Sequence, residues 1–283
     1  MALFSFTQEI AIDLGTANTL IMYEDQIVVN EPSVVAISVA DNKCLAVGRK
    51  AQQMIGRGSQ QIRTVRPLKE GVIADFQACE MMIRGLIKMI PQKNKLFTPA
   101  IRMVVGIPSG CTEVEIRAVR DSCEHAGGRE IYMLYEPMAA AIGIGVDVEA
   151  PKGCMVVDIG GGTTEIAVIS LGGIVANKSI KTAGDDFHRD IIDFMSRMHN
   201  MRIDEPTAER IKIQVGSALP ELEDRPEDFI VVGPNKVTAL PMQVPVSYQE
   251  IAHCLDKSVS KIEGAILQAL ETTPPELYSD IDD

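Results

Sequence analysis

The sequence predicts an α/β protein of two lobes, on three observations. Short apolar runs with strand character alternate with segments of helical periodicity. A strand–aspartate–glycine pattern occurs twice, with Asp158 following Asp13 by 145 residues, about one domain length. The 283 residues are enough for two lobes that each bury a core.

The elements follow in order. Ile10-Ala11-Ile12 and Thr19 to Tyr23 read as strands around a turn, and Val34 to Val39 as another. From Gln77 to Ile90, Met81, Met82, Leu86 and Met89 fall at helical spacing, and Pro91 closes the segment. Arg102 to Pro108 is a strand. Thr112 to Ala126 is a helix, with Thr112 as N-cap, Glu115 as the capping-box acid and Gly127-Gly128 as its stop. Met155 to Ile159 and Glu165 to Ser170 are strands on either side of a glycine run. Lys257 to Glu271 carries Ile262, Ile266, Ala269 and Leu270 on one face, and Pro274-Pro275 stops it.

Composition excludes several classes. With 46% hydrophobic residues the chain is not disordered, and no window approaches ~18 uninterrupted apolar residues, the length of a membrane span. The opening Met-Ala-Leu-Phe-Ser-Phe has no basic stretch and no long apolar core, so no secretory leader is expected. A formal net charge of −12 repels phosphate backbones, and the basic clusters Lys93/Lys95 and Arg63/Arg66/Lys69 are too sparse to offset it; no nucleic-acid partner is expected. Six scattered cysteines without a Cys-x-x-Cys pair read as reduced, mostly buried thiols. Four dispersed histidines offer no zinc-ligand spacing.

The two glycine turns carry the chemistry. Ile10-Ala11-Ile12-Asp13-Leu14-Gly15-Thr16-Ala17-Asn18-Thr19 returns in kind as Met155-Val156-Val157-Asp158-Ile159-Gly160-Gly161-Gly162-Thr163-Thr164. In each, an apolar strand delivers an aspartate to its end and the chain turns through small residues whose N–H groups can approach a phosphate. Thr16, Asn18, Thr163 and Thr164 add donors. Across a cleft, Asp13 and Asp158 can hold the waters of Mg2+, which favours few carboxylates plus phosphate oxygens. A strand follows each turn and no Gly-Lys-Ser/Thr is present, so neither turn is a P-loop or a Rossmann fingerprint.

The paired turns resemble those of the actin, Hsp70 and sugar-kinase superfamily. Asn30-Glu31-Pro32-Ser33-Val34-Val35-Ala36, Arg66 through Phe76, Glu136-Pro137-Met138-Ala139-Ala140-Ala141-Ile142-Gly143 and Val156 through Ser170 are similar to the MreB branch, the bacterial actins that organise cell-wall synthesis in rod-shaped cells. The resemblance runs from about Glu9 to Asp280. It implies the actin-like (ribonuclease H-like) two-lobed ATPase fold with an interlobe nucleotide cleft. The first lobe would span 1–143 with a small insertion at about 32–76, and the second 144–283 with one at about 183–257. It also implies ATP and Mg2+ as ligands, slow ATP hydrolysis, and homopolymer filaments on the inner face of the cytoplasmic membrane that serve the cell-wall elongation machinery.

Carried over residue by residue, Asp13 and Asp158 would position Mg2+. Gly15, Thr16, Ala17 and Asn18 together with Gly160, Gly161, Gly162, Thr163 and Thr164 would hold the phosphates. Glu136 and Thr163 would orient the attacking water, and Glu209, Arg210 and Lys212 would flank the adenosine. Asn18 stands where actin has a lysine, and Ala183-Gly184-Asp185 departs from the usual Gly-Gly-Asp. Glu136 before Pro137 also suits a plain helix start, and the segment around Glu209 also suits an amphipathic helix with solvated charges.

The family's glycine-rich floor under the adenine has no counterpart here, which predicts an incomplete second lobe and weak or no nucleotide binding. It leaves a shortened gene product, a short paralogue or a fragment completed by a partner as readings. A non-hydrolysing protein that caps or regulates filaments is the alternative function. A sugar kinase of the same superfamily is another, but it would need a sugar-binding insertion and a base that cannot be identified.

Leu96 and Phe97, beside Lys93 and Lys95, match the family's membrane-inserting loop, and Leu3, Phe4 and Phe6 could add a second apolar contact. One loop binds weakly; a filament multiplies it through effective concentration. The double substitution Leu96→Asp with Phe97→Asp is expected to abolish co-sedimentation with liposomes, and unchanged pelleting would remove the loop from consideration.

Overall fold

The computed structural model describes residues 7–56, 60–91 and 100–281. The chain divides into two compact units, one running to Lys181 and resuming at Ala269, the other spanning Thr182–Gln268.

The first unit begins with β1 (Thr7–Leu14), β2 (Asn18–Tyr23), β3 (Gln26–Pro32), β4 (Val35–Ser38), β5 (Cys44–Val47) and the short α1 (Arg49–Gln52). It continues with β6 (Ile62–Val65), β7 (Leu68–Lys69), β8 (Val72–Ile73), α2 (Phe76–Ile87), β9 (Ala100–Ile107), α3 (Glu113–His125) and β10 (Gly128–Tyr135). After α4 (Glu136–Gly143) come β11 (Cys154–Ile159), β12 (Thr164–Ser170) and β13 (Gly173–Ile180). The second unit holds α5 (Gly184–Met198), α6 (Glu205–Val215), β14 (Phe229–Pro234), β15 (Pro241–Val246) and most of α7 (Tyr248–Glu271), before α8 (Pro275–Ile281) in the first unit closes the described chain.

The main sheet has the order β10-β9-β1-β2-β3. Strands β10, β9 and β1 run parallel, and β1, β2 and β3 form an antiparallel meander. Along β1 the side chains alternate as a half-buried strand requires: Ile10, Ile12 and Leu14 are buried in the core, while Asp13 opens onto the recess at the strand end. Those apolar residues join Met103 and Val105 of β9 and Met82, Ile83 and Leu86 of α2 in one core. A second, antiparallel sheet β11-β12-β13 packs α4 against it through Ala141, Val156, Ala167 and Ile169. All seven residues of β12 are buried, so both of its faces are covered.

The expected elements form, with differences in extent: the strand read at Ile10-Ala11-Ile12 runs over Thr7–Leu14, and the helix read to Ile90 ends at Ile87. The helix read from Lys257 begins at Tyr248, because Ser247 and Glu250 build a capping box: the Glu250 N–H donates to Ser247 Oγ, and the Ser247 N–H donates to Glu250 Oε2 at 2.9 Å. Pro275, read only as a stop, also opens α8. The thiols are less sheltered than composition suggested: Cys79 and Cys123 are buried, Cys111, Cys154 and Cys254 partly so, and Cys44 is exposed. Burial pushes the Cys79 and Cys123 thiols up to about 12, which leaves them unreactive at neutral pH. Among the described residues no helix is long and apolar enough to cross a membrane. Leu96, Phe97, Leu3, Phe4 and Phe6 lie outside the described residues.

Thr112 caps α3 in a complete capping box with Glu115. Thr112→Ala is expected to lower the unfolding free energy by about 1 kcal/mol, read from the midpoint of urea denaturation; an unchanged midpoint would contradict the cap.

Candidate functional site

In parallel sheets, ligands gather at the carboxyl ends of the strands. Three such ends lie side by side here. Strand β1 ends in Asp13-Leu14 and the turn at Gly15; β9 leads through Pro108 to Ser109; β10 passes directly into Glu136 at the start of α4. Pro137 in the first turn of α4 has no N–H to waste and fixes the helix start, so Glu136 is held at the strand end.

The two glycine turns face one another in direct contact. A Cβ on Gly161 would fall 2.6 Å from Ala17 Cβ, and one on Gly162 would fall 2.7 Å from Thr16 Oγ1 and 3.0 Å from the Glu70 backbone. Neither glycine has a positive φ; the requirement is closeness of approach. The first turn is braced from beneath by Ser33, whose Oγ donates to the Gly15 carbonyl at 2.6 Å and whose N–H donates to the Ala17 carbonyl at 2.9 Å. Thr16 is buried and its Oγ1 accepts from the Gly71 N–H at 3.0 Å, which leaves its own O–H to donate.

Beside this contact, and lined by both turns, lies a cavity of about 620 Å³, within the range of about 300–1,000 Å³ that small-molecule sites occupy. Its wall includes Asp13, Gly15, Thr16, Ala17, Asn18, Glu136, Asp158, Gly160, Gly161, Gly162 and Thr163. Thr164, expected among the phosphate ligands, is fully buried in β12 and is not on that wall. Glu209, Arg210 and Lys212 sit on α6 in the second unit, the first two exposed and the third half-buried.

The cavity's electrostatics are one-sided. Burial, followed by the charges of Asp13, Glu165 and Asp158, pushes the Glu136 carboxyl up to about 8. Burial and Asp158 raise Asp13, and burial and Glu165 raise Asp158. Like charges and partial desolvation act in the same direction. Among the described residues no lysine, arginine or histidine lines the cavity. This acid set has donors enough for a hydrated dication and none of the side-chain cations that would otherwise balance a phosphate chain.

Sequence reasoning missed the residue that ties these parts together. Glu165, buried in β12, accepts hydrogen bonds from the Ser109 N–H (3.0 Å), the Ser109 hydroxyl (2.5 Å) and the Ser179 hydroxyl (2.6 Å). It thus links the exit of β9 to β12 and β13. The available signal was an acid inside the otherwise uncharged run from Thr164 to Ser170. Gly71 and Glu70, in a stretch with no assigned role, are likewise part of the turn contact.

Comparison with known proteins agrees with this architecture. Residues 7–283 match the family described as MreB/Mbl protein. The chain is 45% identical to the cell shape-determining protein Mbl of Bacillus subtilis (strain 168) over 279 residues, covering 98% of this chain and 83% of that one. It is 46% identical to the cell shape-determining protein MreB of Escherichia coli (strain K12) over 281 residues, covering 98% and 80%. Among solved structures, MreB5 of Spiroplasma citri bound to AMPPNP superimposes with a TM-score of 0.87 at 35% identity, over 97% of this chain and 81% of that one. The MamK double helical filament, at 18% identity, shares the fold with a TM-score of 0.77 over 97% and 83%. The fold is the actin-like α/β fold, and the chain belongs to the MreB/Mbl family of cell shape-determining proteins.

Proposed function

We propose that the chain, against the weak or absent nucleotide binding expected from the sequence, binds Mg·ATP in the cavity that its two glycine turns line, hydrolyses it slowly, and assembles with copies of itself into filaments. On this reading the filaments lie on the inner face of the cytoplasmic membrane, where they organise cell-wall synthesis and hold the rod shape. The observation that carries the reading is the pair of glycine turns in contact, with Asp13, Asp158 and Glu136 on one cavity wall. It is supported by the AMPPNP and ADP bound to Spiroplasma citri MreB5 and by the double helical filament of MamK.

The residues present fit the ligand. Backbone N–H groups of Gly15 to Asn18 and of Gly160 to Thr163 would take the phosphate oxygens, and Asn18 would add an amide donor. Asp13 and Asp158 would hold Mg2+ through its waters. The ion would supply the positive charge that the cavity's side chains lack, for both the phosphates and the crowded carboxyls. Glu136, as the carboxylate, would accept a proton from the water that attacks the γ-phosphorus while the bond to the ADP oxygen breaks. Thr163, on the same wall, would hold that water's second position. The chemistry asks for positioning more than for reactive groups. Glu209, Arg210 and Lys212 are assigned to the adenosine side, and Leu96 and Phe97 to the membrane, on family resemblance.

The direct test is sedimentation of the purified chain with and without Mg·ATP, alongside phosphate release. Pelleting that depends on both Mg2+ and ATP is expected. Its absence, or equal pelleting without nucleotide, would overturn the filament reading. Gly161→Ala, which drives a methyl into Ala17, is expected to abolish nucleotide binding in titration calorimetry; wild-type affinity would show that the turns do not need their close approach.

Glu136→Gln is expected to slow hydrolysis by at least about a hundredfold while leaving ATP binding in place. It also has a stability signature in the metal-free, nucleotide-free protein. Because folding raises the Glu136 carboxyl from 4.5 to about 8, its contribution is fully present below pH 4.5 and is lost as pH rises towards 8. Glu136→Gln removes that loss, which is on the order of a few kcal/mol. Its melting temperature is therefore expected to exceed wild type increasingly between pH 5 and 8 and by a constant margin above; parallel curves would refute the shift.

A further inference from the structure

A cluster in the second unit brings together metal-ligating side chains that the nucleotide reading leaves without a task. Asp185 and His188 stand three residues apart at the start of α5, on one face of the helix, and Glu205 opens α6, which packs against α5. One donor atom from each of the three lies within 4.8 Å of the others. Acidic residues in the first turn of a helix are accounted for by the helix dipole. The imidazole between them is not.

His188 is only 9% exposed. Neither of its ring nitrogens is accessible to water, and neither has a hydrogen-bond partner among the described residues. Glu205 Oε1 stands 3.9 Å from Nδ1, beyond hydrogen-bonding reach. Buried polar side chains almost always find a partner, so an imidazole beside two carboxyl groups with neither ring nitrogen hydrogen-bonded marks a position where something bridges them.

We propose that Asp185, His188 and Glu205 form a binding site for a divalent transition-metal ion, with Zn2+ or Mn2+ as the chemical match. One imidazole and two carboxylates are a ligand set for such ions, and the carboxylates balance the ion's charge. A neutral imidazole selects against Mg2+, which takes oxygen ligands. With metal–ligand bonds of about 2.0–2.2 Å, the three donors must draw closer than they stand. Asp185 and Glu205 are half-buried, so their carboxylates can swing inward. The ion ties the start of α5 to the start of α6 and stabilises the unit by mass action.

The test uses the full chain, stripped with EDTA and held without nucleotide in millimolar Mg2+, which occupies any oxygen-only site at Asp13 and Asp158. ZnCl2 and MnCl2 are titrated by calorimetry, with melting temperature and the His188 ring resonances as further readouts. One ion per chain, a melting temperature raised by several degrees and a displaced His188 signal are expected. His188→Gln and Glu205→Gln should each weaken uptake by about tenfold or more and cancel the thermal shift. No uptake, or uptake undiminished in either variant, overturns the site. Should His188→Gln fail to fold, Glu205→Gln, at a half-buried helix start, carries the test alone.

Discussion

The structure depends on the close approach of two backbone turns. Gly161 and Gly162 come so near Ala17, Thr16 and Glu70 that no side chain fits between them. That contact places the end of β1 and the end of β11 on one cavity and so brings Asp13 and Asp158 to a common wall. Much of the surrounding structure serves this contact: Ser33 braces the first turn from below, and Gly71 donates to Thr16 from the side. The carboxyl groups are brought together as a result, and burial and repulsion from neighbouring acids raise all three above their ordinary values. Active sites commonly store such unfavourable electrostatics, which a ligand then relieves.

The fold is built to bear that cost. Strands β1, β9 and β10 are anchored from one side by a continuous apolar core with α2 and α3, which fixes their carboxyl ends. On the second sheet, α4 lies against β11 and β12, so Glu136 at its first residue is held by packing further along the same helix. A site placed on strand ends and a helix start is stiffer than one on free loops. That suits chemistry in which positioning does most of the work.

Much of this was legible in the sequence because it is local. The alternation in β1, the capping box at Thr112 and the apolar stripe of α2 each follow from residues a few positions apart. The repeated aspartate–glycine turns were legible for the same reason, and they lie on two different sheets. Relations between distant segments were not legible. Glu165 acquires its meaning only from Ser109 and Ser179, 56 and 14 residues away. His188 looked like one of four dispersed histidines until the packing of α5 on α6 brought Glu205 beside it. The early start of α7 was equally local: Ser247 and Glu250 announce it, and Tyr248, Ile251, Ala252 and Leu255 carry its buried face ahead of Lys257.

Glu165 has a mechanical consequence as well. One buried carboxyl receives all three of its hydrogen bonds from two serines that sit on different segments, one leaving the main sheet and one inside the second. Pulling those segments apart would break all three bonds together and leave the acid buried without donors, a penalty far larger than the loss of a single contact. At that point the two sheets move as a welded joint. Whatever breathing the cavity needs in order to admit a ligand must take place elsewhere on its rim, where Met22 and Ile27 border it and face solvent.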